Sequence, residues 1–132
     1  TETLPSWALG RWPDWRIILG SYNDESADRF ARRNKEKVRA YGSQLFGVQI
    51  GRIDRATEFE LAGHMGRLIS RGIMSGVTGN PANLMIIDDP IKNRTEADVQ
   101  ALTALVEELD GDIEVCVIAT LDPIYDLTVI FE

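Results

Sequence analysis

Asp88 and Asp89 stand side by side at the end of Leu84-Met85-Ile86-Ile87 and directly before Pro90. Four apolar residues in a row predict a buried strand, so the sequence delivers two carboxylates to that strand's carboxyl end. Removing a carboxylate from water is costly unless a metal ion, a base or a helix N-terminus receives it. A nucleotide hydrolase holds its magnesium with such a pair: one carboxylate orients a metal-bound water, and the other orients or deprotonates the water that attacks. Asp-Asp-Pro is equally the punctuation of a strand ending in a turn, and the motif alone fits either use.

The other residues able to do chemistry are fewer. Six bases, Arg29, Arg32, Arg33, Lys35, Lys37 and Arg39, fall within eleven positions. Such a run is commonly a solvated helix face, with Arg32 and Glu36 placed to pair at i, i+4; contact with DNA phosphates is the alternative use. His64, the sole histidine, lies between Gly63 and Gly66 without a cysteine or second histidine to share a metal, and reads as a turn residue. Cys116 is the only cysteine, which excludes an internal disulfide; Glu114-Val115-Cys116-Val117-Ile118 makes it a packed strand residue. Trp7, Trp12 and Trp15 suit packing better than base stacking.

A chain of 132 residues, 44% of them hydrophobic, is enough for one domain with its own core, spanning 1–132. Its apolar runs are too short to span a membrane, and its first residues lack the basic-then-apolar pattern of a signal peptide, so a cytoplasmic location is expected. The net charge of -7 conceals a division. Residues 1–94 hold all 14 bases with 11 acids, a balance of +3, whereas residues 95–132 hold 10 acids and no base, a balance of -10. A step of this kind marks a change of partner, of exposure or of origin.

The elements that would position these groups alternate. A helix end or loop over Thr3 to Leu9 is broken by Gly10 and Pro13, and Trp15 to Tyr22 is a strand. Asn23 caps a helix with Asp24 and Glu25 in its first turn; Ala27, Phe30, Ala31, Val38 and Tyr41 form its apolar face, and Gly42 ends it. The alternation in Thr57 to Leu61, then Gly63 to Gly66, then Arg67 to Ser70 predicts a hairpin with one wet face. A glycine-rich connection, Gly72 to Pro81, leads into the Leu84 strand. Thr95 caps a further helix striped by Val99, Leu102, Val106 and Leu109; Ile113 to Ala119 and Leu127 to Phe131 are β-rich. The result is an α/β order, with Tyr22, Asn23, Asp88, Asp89 and Thr120 expected at the carboxyl rim of the sheet.

Several of these segments carry a family resemblance. Glu2-Thr3-Leu4-Pro5-Ser6-Trp7, Ser21-Tyr22-Asn23-Asp24, Ala27 to Lys37 with its Arg-Arg-Asn, Leu45-Phe46-Gly47, Ser70 to Gly79, and Leu84 to Asn93 resemble the ATPase domain of phage and prophage terminase large subunits, which package viral DNA. The likeness covers roughly residues 1–100 and rests on the order of its parts. It implies a P-loop NTPase-like, mostly parallel sheet with flanking helices and a β-hairpin, working in the cytoplasm of a bacterial host. It further implies Asp88 as the Walker B metal residue, Asp89 as the catalytic acid, Thr120 as a nucleotide-coupling residue, and magnesium and ATP as cofactors. Double-stranded DNA, other terminase or portal subunits and further copies of the chain are the partners it implies.

Two departures qualify the inheritance. No Gly-x-x-x-x-Gly-Lys-Ser/Thr phosphate loop occurs, and Lys35, Lys37 and Lys92 are in the wrong settings to replace it. Leu121 stands where the family has an arginine, and the resemblance fades into an acidic end over 101–132. The expectation is therefore a truncated terminase-like ATPase domain without independent ATPase activity. The alternative is a noncatalytic interaction or oligomerising module on an inherited ATPase scaffold, with the acidic segment as its contact surface.

Overall fold

The computed structural model describes residues 1–72, 81–89 and 113–119, together with Gln100, Ala104 and Glu107. Six strands form one mixed sheet: β1 (Arg16–Ser21), β2 (Ile50–Asp54), β3 (Glu58–Leu61), β4 (Arg67–Gly72), β5 (Ala82–Asp88) and β6 (Ile113–Ala119), in the order β2-β3-β4-β1-β5-β6. β4, β1, β5 and β6 run parallel, and β2 and β3 extend the sheet antiparallel beyond β4. The α/β architecture and the mostly parallel sheet are as expected.

The sequence of each strand reflects its place. β1 and β5 lie inside the parallel part, where both faces are covered, and accordingly read as continuous apolar runs. Ile17, Leu19, Leu84 and Ile86 share one core with Ala8, Leu9 and Ala31 from the helices, while Ile18, Met85 and Ile87 are buried by the pleat's opposite side. β3 alternates instead: Phe59 and Leu61 are buried, Glu58 and Glu60 half-exposed. This is the hairpin with a wet face that its sequence predicts.

Helix α1 (Leu4–Arg11) is longer than expected and passes through Gly10, which is a packing glycine and not a breaker: the ring of Phe46 lies where any β-carbon there would sit. Helix α2 (Asp24–Lys37) begins at Asn23, whose Oδ1 accepts from the Ser26 N–H at 2.9 Å. Asp24 and Glu25 in its first turn complement the helix dipole. Ala27 and Ala31 are its buried small residues.

Gly42 does not end this helix. A π turn over Val38–Gly42 joins α2 to α3 (Ser43–Phe46), and the true stop is Gly47, at φ 72° with its N–H on the Ser43 carbonyl. Gly42 serves close approach: a β-carbon there would meet the Val48 carbonyl oxygen at 2.9 Å. The wider turn also rotates Tyr41 off the apolar face, leaving it 58% exposed rather than packed as its spacing suggests. The described positions of the acidic half, Gln100, Ala104 and Glu107, are helical and exposed at spacings of four and three. The apolar stripe expected between them, the Thr95 cap and the Leu127 to Phe131 strand lie outside the described residues.

Candidate functional site

Parallel pairing in register brings Ser21, Asp88 and Ala119 abreast at the carboxyl ends of β1, β5 and β6. The Ser21 hydroxyl donates to the Asp88 carbonyl at 2.9 Å, fixing the end of β5 against β1. The Asp88 carboxylate accepts a hydrogen bond from the Thr1 hydroxyl, which places the approach to α1 over the same rim. Asp89 follows, exposed, with φ at 44°, the one non-glycine residue in the left-handed region among those described. Tyr22 and Asn23 continue from Ser21 on the neighbouring strand. Thr120 lies outside the described residues.

The start of α2 closes one side of this rim. Gly72, ending β4, donates its N–H to Asp24 Oδ1 at 2.6 Å, and a β-carbon on Gly72 would meet Asp24 N at 2.8 Å. That glycine is therefore needed for a backbone approach, while Gly76 and Gly79 of the same connection lie outside the described residues. One turn further along α2, Asp28 accepts from the Ser70 hydroxyl at 2.7 Å.

Among the described residues no Lys or Arg pairs with Asp88 or Asp89. Nor do the described residues bring three carboxylate, histidine or cysteine groups together. Two adjacent carboxylates suit magnesium in its usual manner, one or two protein oxygens with the remaining positions taken by water or phosphate. The rim thus has the donors for a hydrated hard cation. A backbone cradle for phosphates is not formed by these residues.

The basic run is arranged differently. Arg33 pairs with Glu2, Lys35 with Asp54 at 3.0 Å, and Arg39 also with Asp54. The Lys35 hydrogen bond, helped by the charge of Arg39, holds the Asp54 carboxyl below the ordinary aspartate range. Lys37 donates to the Glu2 carbonyl and the Thr3 hydroxyl, each at 2.6 Å. Arg29 lies over the adjacent Phe30 ring, 5.3 Å from its centre. The Arg32–Glu36 pair expected from helical spacing is not among the ion pairs of the described residues, where long exposed side chains gain little by holding one geometry.

Asn34 is the residue that sequence reasoning missed. It is fully buried, accepts from the Ser6 N–H at 2.9 Å, and donates to the carbonyls of Thr1 at 2.9 Å and Phe30 at 2.8 Å. It therefore ties α2 to both ends of the segment that reaches Asp88. A signal was present: Ala27, Ala31, Asn34 and Val38 occupy one helical stripe, and an amide on an apolar stripe needs partners from outside its helix.

The remaining candidates are structural. His64 sits in the β3–β4 turn with Nδ1 3.7 Å from Asp14 Oδ1. Trp12 and Trp15 stack at 4.2 Å and pack on the core, with Trp7 edge-on to Trp12 at 5.5 Å. Burial pushes the Cys116 thiol up to about 11, so it is a poor nucleophile at neutral pH. Neither a protein-family model nor a curated protein matches the chain.

Proposed function

We propose that this chain is a terminase-like ATPase core whose β5 rim is the metal-and-water end of a nucleotide site. In that reading Asp88 binds magnesium, Asp89 orients or deprotonates the attacking water, and Thr120 couples to the nucleotide. The carrying observation is the register that sets Asp88 between Ser21 and Ala119 at the carboxyl rim of a parallel sheet, with no internal base to neutralise it among the described residues. Ligand sites in open α/β sheets lie at such rims. Because this sequence contains no phosphate-cradling loop, the chain alone should bind magnesium-ATP no better than about millimolar and hydrolyse it undetectably.

Metal binding tests the reading without relying on turnover. Manganese, added as a paramagnetic stand-in for magnesium, should broaden the amide signals of residues 20–22 and 88–89 first, and Asp88→Asn should abolish that selectivity. Broadening that begins elsewhere, or that survives Asp88→Asn, would remove the metal role. A second reading is an interaction module on the same scaffold. It is favoured by β6, at the sheet edge among the described strands, where Val115 and Val117 are 46% and 37% exposed.

A further inference from the structure

Consecutive residues ahead of α1 are held by side chains of α2. The Asn34 amide donates to the Thr1 carbonyl at 2.9 Å, Arg33 pairs with the Glu2 carboxylate, and Lys37 donates to the Glu2 carbonyl and the Thr3 hydroxyl. Arg33 is half exposed, and an ion pair in water contributes little. Asn34 is different. Nothing of it meets water, and its bonds from Ser6 and to Thr1 and Phe30 satisfy its oxygen and both amide hydrogens. The packing at this point calls for one acceptor and two donors, which a primary amide supplies and a carboxylate, a hydroxyl or an apolar group does not.

The segment held in this way ends on the β5 rim. The Thr1 hydroxyl donates to Asp88 Oδ2, while the Ser21 hydroxyl fixes the Asp88 backbone through its carbonyl. With the backbone held, the freedom left to Asp88 is rotation of its carboxylate, and the Thr1 bond restricts it. One hydroxyl takes one lone pair, so the carboxylate keeps the capacity to ligate a cation while losing orientations. Groups that orient a metal ligand tune its affinity without touching the metal.

We infer that Asn34 is a positioning residue for Asp88. It sets the Thr1 carbonyl, hence the Thr1 hydroxyl, hence the direction in which Asp88 presents its oxygens. The consequence for metal binding rests on the reading of Asp88 as the magnesium residue; the geometry stands apart from it.

Two readouts on the whole chain separate these layers. One, without metal, is the carboxyl carbon resonance of Asp88, assigned by its loss in Asp88→Asn; the other is the manganese concentration at which residues 20–22 and 88–89 broaden. Asn34→Leu and Thr1→Val should move the Asp88 resonance in the same direction, and Thr1→Ser should leave it in place. Asn34→Leu should also raise the manganese concentration required by about tenfold. Phe59→Leu, in the core at β3 and three places from β5 across the sheet, should lower stability and change neither readout. Denaturant midpoints show whether each variant is folded. Should Asn34→Leu fail, Thr1→Val decides through the reciprocal signal, the side-chain amide of Asn34, which should shift when the hydroxyl is lost; an amide that stays put would overturn the positioning role. An Asp88 resonance indifferent to Asn34→Leu, manganese binding at the rim unchanged in that variant, or an equal shift in Phe59→Leu would overturn it too, while leaving the metal reading intact. No manganese at the rim of the parent chain, with the Asp88 resonance moving as expected, would instead sink the metal reading and leave Asn34 in its role.

Discussion

The β5 rim and the basic stretch of α2 and its π turn both concentrate charge, yet the molecule treats them in opposite ways. Along the helix, Arg33, Lys35 and Arg39 are matched with Glu2 and Asp54, and Lys37 is held by neutral oxygens of the segment before α1. At the rim, Asp88 receives a hydroxyl but no cation from the described residues, and Asp89 is held in an unfavourable backbone region. Density of charge in a sequence therefore says little about availability. Charges that find counter-charges nearby become part of the scaffold, and those that do not are left to meet something from outside.

Asn34 links the two regions, and breaking it should have the largest effect. Asn34→Leu leaves the Ser6 N–H and the Thr1 carbonyl without their partner in a partly dry interface, so stability should fall by about 2–3 kcal/mol. A urea denaturation midpoint measures this. A loss under about 0.5 kcal/mol would mean that water replaces the amide, and that α1 is not tied to α2 through this side chain.

A smaller effect should come from the rim itself. The left-handed backbone of Asp89 penalises a β-carbon, so Asp89→Ala should be about 1 kcal/mol less stable than Asp89→Gly, although both remove the carboxylate. Comparing the two variants isolates backbone from charge. Identical melting would show that the turn relaxes when the side chain goes, and the contrast between a strained rim and a relaxed helix would lose one of its supports.

Much of this arrangement was legible beforehand, for reasons tied to particular residues. β1 and β5 were readable because strands buried on both faces are unbroken apolar runs, and the Asn23 cap because its side chain does a local job. β2 was not read: Ile50-Gly51-Arg52-Ile53-Asp54 has a glycine and two charges, and its pairing with β3 slips register between Ile50 and Asp54. Such an edge strand is defined by its neighbour more than by its own pattern. Gly42 was misread because a glycine needed for close packing looks, in sequence, the same as one that stops a helix. Asp88 and Asp89 were legible as a pair at a strand end, but that no ion pair among the described residues neutralises them is a tertiary fact no local pattern encodes.

The smallest expected effect concerns DNA, and it tests the comparison directly. If carboxylates neutralise Arg33, Lys35 and Arg39, and two neutral oxygens hold Lys37 in place, Arg29 and Arg32 are the bases best placed to meet phosphates, so duplex binding should be weak, indifferent to sequence, and fall with salt at a log–log slope of about -2. The -10 balance of residues 95–132 opposes any longer-range attraction. Fluorescence anisotropy at low salt should therefore show faint binding that vanishes at physiological ionic strength and in the Arg32→Glu, Arg33→Glu double variant. Asp54→Asn provides the converse arm: by releasing Lys35 and Arg39 it should steepen the slope toward about -4, because two more counterion-releasing contacts become possible. Affinity that persists at physiological salt, or that ignores both changes, would place DNA recognition elsewhere on the molecule and show that pairing with Asp54 is not what limits this helix.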